Sequence, residues 1–138
     1  MTLLEVAADA GAEVGVLCDT NGGMLPSGIH RVVTGVGART TLQLGIHCQD
    51  DTACAVANTL AAVEAGAMHV QCTANGYGER TGNADLFSVI GNLQLKMGLV
   101  CLDNNKLKRL TEVSRFVYEA ANVRPNRYQP YVGKSAFA

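Results

Sequence analysis

Three short apolar runs, Val14–Cys18, Leu42–His47 and Val70–Ala74, stand apart from longer stretches whose apolar residues recur at helical spacing. The runs are of strand length and nearly unbroken, the texture of strands in parallel sheets covered on both faces. The spacing predicts a helix over Thr2–Ala12, with Leu3, Leu4, Val6, Ala7 and Ala10 on one side and Gly11 as its stop. A second helix is expected from Ser27, as its cap behind Pro26, to about Ala38. A third runs over Ala53–Ala65, capped by Thr52 and ended by Gly66, and a fourth over Ala84–Met97, ended by Gly98. After Gly98 one amphipathic helix is predicted over Lys106–Ala121, with Leu107, Leu110, Val113, Val117 and Ala120 in phase. Arg124–Pro130 reads as an extended tail with two prolines, and no closing element is expected after it.

The order α-β-α-β-α-β-α, with a polar motif closing each strand about every 25 to 30 residues, is that of successive βα units. Three parallel strands make a poor independent domain, whereas an eight-stranded (β/α) barrel needs ~250 residues. The expected fold is therefore α/β, part of a larger barrel or one completed by another copy. The rival, a small open sheet, leaves two long apolar edges exposed, which natural proteins avoid.

Composition narrows the function classes. With 138 residues, 48% of them hydrophobic, the chain can bury one core. A net charge of −1 gives no electrostatic case for nucleic acid or an acidic membrane surface as partner. Lys106, Lys108 and Arg109 read as the wet face of a helix. No apolar window is long enough to span a bilayer, and the start lacks the pattern of a signal peptide. The five cysteines form no CxxC or metal-knuckle spacing, and Cys18, Cys48 and Cys72 fall within apolar strands, so a reducing cytoplasm is the expected location.

Candidate chemistry lies where each strand gives way to a helix, the place where parallel α/β folds bind ligands. His47 and Gln49 are two apart and share a strand face; both can approach one metal, or the segment is a solvated turn with Asp51 and Thr52 starting a helix. Asp50 and Asp51 add negative charge at that rim. Asn83 follows Gly82 at a helix opening, where capping and facing a cation are both open. Gly76, Gly78 and Gly82 permit close backbone approach but miss the GxGxxG spacing, which disfavours a dinucleotide site. Glu79 and Arg80 form a rim ion pair or orient substrate. Thr20 and Asn21 precede the Gly22-Gly23 turn and either serve that turn or bond a carboxylate. His30 and His69 are assigned to structure.

The ordered motifs Leu17-Cys18-Asp19-Thr20-Asn21-Gly22-Gly23, Gly45-Ile46-His47 with Asp51, and Asn75-Gly76-Tyr77-Gly78-Glu79-Arg80-Thr81-Gly82-Asn83 resemble the last three strands of the pyruvate-carboxyltransferase-like (DRE-TIM metallolyase) barrel family. That family includes 2-isopropylmalate, homocitrate and citramalate synthases and hydroxymethylglutaryl-CoA lyase. The wording of Asn75–Arg80 and the run Ala55–Ala67 are most similar to the citramalate synthase branch, and the likeness runs from about residue 2 to 138.

The resemblance implies the C-terminal portion of a TIM (β/α)8 barrel, about three βα units over 1–98, then the start of a helical linker subdomain over 99–138. It implies an acyltransferase that condenses acetyl-CoA with a 2-oxo acid, pyruvate for (R)-citramalate in isoleucine synthesis, by a metal-assisted Claisen condensation. The alternatives are 2-isopropylmalate synthesis from 2-oxoisovalerate and a non-catalytic, self-associating half-barrel. His47, Gln49 and Asn83 fall at metal positions, with Mg²⁺ or Mn²⁺ expected over Zn²⁺. Thr20 matches a residue that contacts the oxo-acid carboxylate, and Glu79 and Arg80 of the signature loop are carried over as catalytic. Gln49 stands where the family usually has a second histidine, and Asp50 where asparagine is usual; either the metal shell is richer in oxygen or metal affinity has fallen. The strand-one metal-binding Asp and its arginine have no counterpart here, so the chain alone is expected to be inactive. The full-length enzyme is expected to be a homodimer.

Overall fold

The computed structural model describes residues 3–137. In chain order these form α1 (Leu3–Asp9), β1 (Val14–Asp19), α2 (Pro26–Gly37), β2 (Gln43–Cys48), α3 (Ala55–Glu64), β3 (His69–Gln71), α4 (Leu86–Leu95), α5 (Asn104–Leu107) and α6 (Leu110–Ala120). Short 3₁₀ turns occupy Ala74–Gly76 and Lys134–Phe137. The predicted start of the first helix at Thr2 lies outside the described residues.

The sheet has the order β1-β2-β3, all parallel, each strand beside its predecessor. Stepping one place in one direction at every βα unit puts the helices in one layer, and α2, α3 and α4 pack side by side in sequence order. Leu44, Ile46 and Cys48 of β2 face that layer, buried with Ile29 and Val33 of α2, Ala55 and Ala62 of α3, and Val89 and Leu93 of α4. Among the described residues no helix is long and apolar enough to cross a membrane.

The second face carries the register rows Val16–Gly45–His69 and Cys18–His47–Gln71, in which Cys18, His69 and Gln71 are exposed. In a closed barrel this is the inward face.

Other boundaries shift for local reasons. Pro26 is inside the first turn of α2, where its missing N–H costs nothing, so Ser27 is not the cap. α3 starts two residues late because Ala53 sits at φ +56; Thr52 does not cap it but donates its hydroxyl to the Gly22 carbonyl at 2.8 Å. The Asp50 carboxylate instead accepts from the Ala55 N–H at 2.8 Å. β3 is cut short because Thr73 turns to bridge Asp85. The single predicted helix at 106–121 breaks at Arg109 (φ −92, ψ 0) into α5 and α6. Its predicted stripe is also rotated: Val113 and Ala120 are exposed, while Ser114 and Tyr118 are buried.

The tail does not trail away. Gln129 and Val132 are buried, and the Tyr131 ring lies on α4 where Gly91 has no side chain, its hydroxyl donating to Asn92 Oδ1 at 3.0 Å.

Candidate active site at the strand ends

The ends of β1 and β2 stay paired one residue beyond the strands, the Gln49 N–H donating to the Asp19 carbonyl at 3.3 Å. The loop after β3 folds back beside them. Gln49 and Asn83 form an antiparallel bridge, and the Asp50 N–H donates to the Gly82 carbonyl at 2.9 Å. Backbone pairing alone therefore brings all three predicted motifs to one rim.

Arg80 binds that rim together. Its Nε and Nη2 donate to the two Asp51 carboxylate oxygens, each at 2.8 Å, a two-pronged charge-assisted contact. Nη2 also donates to the Thr20 carbonyl at 2.7 Å and to Gln49 Oε1 at 2.5 Å. Arg80 reaches these partners from φ +56, a left-handed backbone that a bulky residue adopts only when its surroundings over-determine it. The expected ion pair with Glu79 is corrected: the salt bridge of Arg80 is to Asp51, and Glu79 is exposed.

The Arg80 hydrogen bond holds the Asp51 carboxyl below its ordinary value of 3.8, and Asp51 in turn raises Arg80. A carboxylate with a depressed folded pKa contributes stability that is full above the ordinary value and lost as pH falls through the lowered one. The Arg80 Nε–H resonance is therefore expected to stay protected from neutral pH down to 3.8 and to broaden only below it, as an NMR titration would show. Broadening at pH 6 would mean that the contact is not formed in solution.

Asn83 is buried, with 7% of its surface exposed. Its Nδ2 donates to the Tyr77 carbonyl at 3.0 Å, while its Oδ1 is buried without a hydrogen-bond partner. Asn83 is not the helix cap; Asp85 is, accepting from Phe87 N, Ser88 N and Ser88 Oγ at 3.3, 3.2 and 2.6 Å. A cavity of about 260 Å³ adjoins Asn83, lined also by Asp50, Asp85, Ser88, Tyr118 and Gln129.

His47 is half-buried on the open face, and Gln49 follows two residues on, itself buried. Gln49's amide oxygen is already engaged by Arg80. Thr20 is exposed and tied to the rim through its backbone. His30 is exposed on α2, and His69 is exposed on the open sheet face. Among the described residues no group of three or more His, Cys, Asp or Glu is placed to hold a metal ion. Cys48 and Cys72 are pushed up to about 11 by burial and stay protonated at neutral pH, which sets them aside as nucleophiles.

Sequence reasoning placed Asp51 at the rim without finding its partner. The only available signal was one exposed arginine in a loop that must return to an acidic strand end. It also missed the contact of Asn75 with α6, for which a serine on a helix gives no signal.

Polar groups gathered at the carboxyl ends of parallel strands, with one helical layer behind them, define a partial (β/α) barrel. Residues 1–117 match the HMGL-like family, and the chain belongs to it. The chain is 59% identical to (R)-citramalate synthase of Streptomyces coelicolor over 99% of its own length and 26% of that protein. It is 41% identical to 2-isopropylmalate synthase of Methanocaldococcus jannaschii over 99% of its length and, again, 26% of the relative. The chain thus spans about a quarter of the length of the curated relatives it matches. Among solved structures it superposes on HMG-CoA lyase of Bacillus subtilis with a TM-score of 0.75 at 25% identity, covering 89% of this chain and 43% of the lyase.

Proposed function

We propose that residues 1–98 supply three consecutive strand ends, those of strands six to eight, to a catalytic barrel that condenses acetyl-CoA with pyruvate to (R)-citramalate. Residues 99–138 begin a helical linker subdomain, and the whole enzyme works as a cytoplasmic homodimer. The observation that carries this reading is the convergence of Thr20, Gln49, Arg80 and Asn83 at one rim, in a chain 59% identical to a citramalate synthase.

The residues fit a divalent cation. A buried amide oxygen without a partner costs about 1–3 kcal/mol, and Asn83 Oδ1 is such an atom. His47 would offer a ring nitrogen from the neighbouring strand, and Gln49 Oε1, with a second lone pair beside the one Arg80 uses, would complete the set. One imidazole with amide oxygens suits Mg²⁺ or Mn²⁺ better than Zn²⁺. When bound, the cation acts as Lewis acid and template toward the carbonyl and carboxylate of the oxo acid.

The chain's own side chains do the rest. Arg80 fixes the three loops and keeps a positive charge where acids bind. The exposed Thr20 hydroxyl is available to the substrate carboxylate. Glu79, exposed in the same loop, is the carboxylate we assign to proton handling.

A chimera tests the reading. The matching quarter of the Streptomyces coelicolor enzyme is replaced by these 138 residues, and CoA release is measured with pyruvate and with 2-oxoisovalerate. Pyruvate-dependent release is expected, lost in the His47→Ala version, with none from residues 1–138 assayed alone. A folded chimera that prefers 2-oxoisovalerate makes the 2-isopropylmalate reading correct. Turnover by the isolated chain overturns the proposal that the remaining strands are required.

A further inference from the structure

The geometry points to Ser114 of α6 and Gln129 of the returning tail as positioning residues for Asn83, acting through Asn75. This inference rests on the proposed role of Asn83 at the cation.

Asn75 is the hinge of the argument. Its backbone is left-handed, at φ +57, a conformation that asparagine tolerates but that costs free energy unless it is held. Its side chain is held entirely from outside the rim. Oδ1 accepts from Ser114 Oγ at 2.6 Å and from Gln129 Nε2 at 3.2 Å, and Nδ2 donates to the Ser114 carbonyl at 3.1 Å. Gln129 is fixed in turn, its Oε1 accepting from the Tyr118 hydroxyl at 3.1 Å. Ser114, Tyr118 and Gln129 are 2%, 7% and 5% exposed, so a bond broken on their side leaves a buried polar group short of a partner, while Asn75 itself is half-buried beside the cavity.

What Asn75 fixes is the stretch that seats Asn83. The next carbonyl, of Gly76, accepts from the Asn83 N–H at 2.9 Å, and the one after, of Tyr77, accepts from Asn83 Nδ2 at 3.0 Å. The Tyr77 carbonyl also accepts from Thr73 Oγ1 at 2.5 Å, and the Tyr77 ring meets Tyr118 edge to face at 5.9 Å. The Tyr77 carbonyl thus belongs to a residue packed on α6, and the Gly76 carbonyl to the residue that follows the clamped Asn75. With Nδ2 fixed on Tyr77, Oδ1 is the end left for a ligand. Ser114 and Gln129 reach no such atom themselves. Their effect on the site passes through the loop.

The test uses the chimeric synthase described above, with Ser114→Ala and Asn75→Gly as disrupting variants. Glycine keeps the left-handed backbone while removing the side-chain bonds, so a folding failure of one variant leaves the other. Hydrogen exchange at residues 76–83 is expected to speed up about tenfold or more in both, with β2 and α3 unchanged. Mn²⁺ affinity, followed by electron paramagnetic resonance, is expected to fall about tenfold, and Ser114→Thr, which keeps the hydroxyl, restores both. Faster exchange confined to α6 and the tail, with residues 76–83 unaffected, overturns the inference. If Asn83→Ala leaves Mn²⁺ affinity unchanged, it is the cation reading of Asn83 that fails, and the exchange data still decide whether α6 positions the loop.

Discussion

In the chimeric synthase, Arg80→Ala is expected to lower pyruvate-dependent CoA release by about 100-fold, the scale of loss when a reacting centre is misplaced by ~1 Å. Arg80→Lys should be nearly as damaging. One guanidinium spans Asp51, the Thr20 carbonyl and Gln49 Oε1, and its planar fork makes the two-pronged contact that a single ammonium cannot. The expected loss is in geometry, not in global stability. The Arg80 side chain is 47% exposed, and an ion pair so wet adds little to folding. The melting temperature should therefore stay close to that of the parent while activity collapses. Asp51→Asn is the informative partner: it removes the charge but leaves the bonds to Thr20 and Gln49, and should fall between parent and Arg80→Ala. Full activity in Arg80→Lys would show that charge alone, not the three-way tie, is what the rim needs.

The sequence made the βα order legible because buried parallel strands are short and apolar and the intervening helices keep their period. Strands, helix stops and the three motif-bearing ends were all readable from that alternation. The covered face was also written in β2, where Leu44, Ile46 and Cys48 alternate with Gln43, Gly45 and His47, but a reading of the segment as one apolar run passes over that alternation. Helix starts failed where loop chemistry outweighed propensity: Thr52 and Asn83 look like caps, but their side chains are engaged by Gly22 and Tyr77 across the rim. The α6 register failed because its buried face is polar at Ser114, and a hydrophobic count follows Val113 instead. At the site, Gln49 lies one residue past β2 and is buried, with His47 half-buried two residues before it. The engagement of Gln49 by Arg80, from a loop 31 residues away, is a tertiary fact with no local trace.

Two glycines of the signature loop should separate positioning from folding. Gly82 sits at φ +99, and a Cβ there runs into the Gly76 carbonyl, the group that receives the Asn83 N–H. Gly82→Ala thus carries both backbone strain and a backbone collision, and is expected to destabilise the chain by about 1–3 kcal/mol, visible as a lower melting temperature. Gly78 is different. Its backbone is outside the left-handed region and the residue is exposed, yet a Cβ there collides with the Asn83 side-chain amide. Gly78→Ala should therefore melt near the parent, because what gives way is one side chain. The yielding group is Nδ2, which must leave the Tyr77 carbonyl, so Oδ1 loses its orientation. Mn²⁺ affinity is then expected to drop about 10- to 100-fold, the usual cost of disturbing the groups that orient a ligand. Unchanged affinity in folded Gly78→Ala, beside a clear loss in His47→Ala, would remove Asn83 from the cation's coordination and leave it a structural role alone.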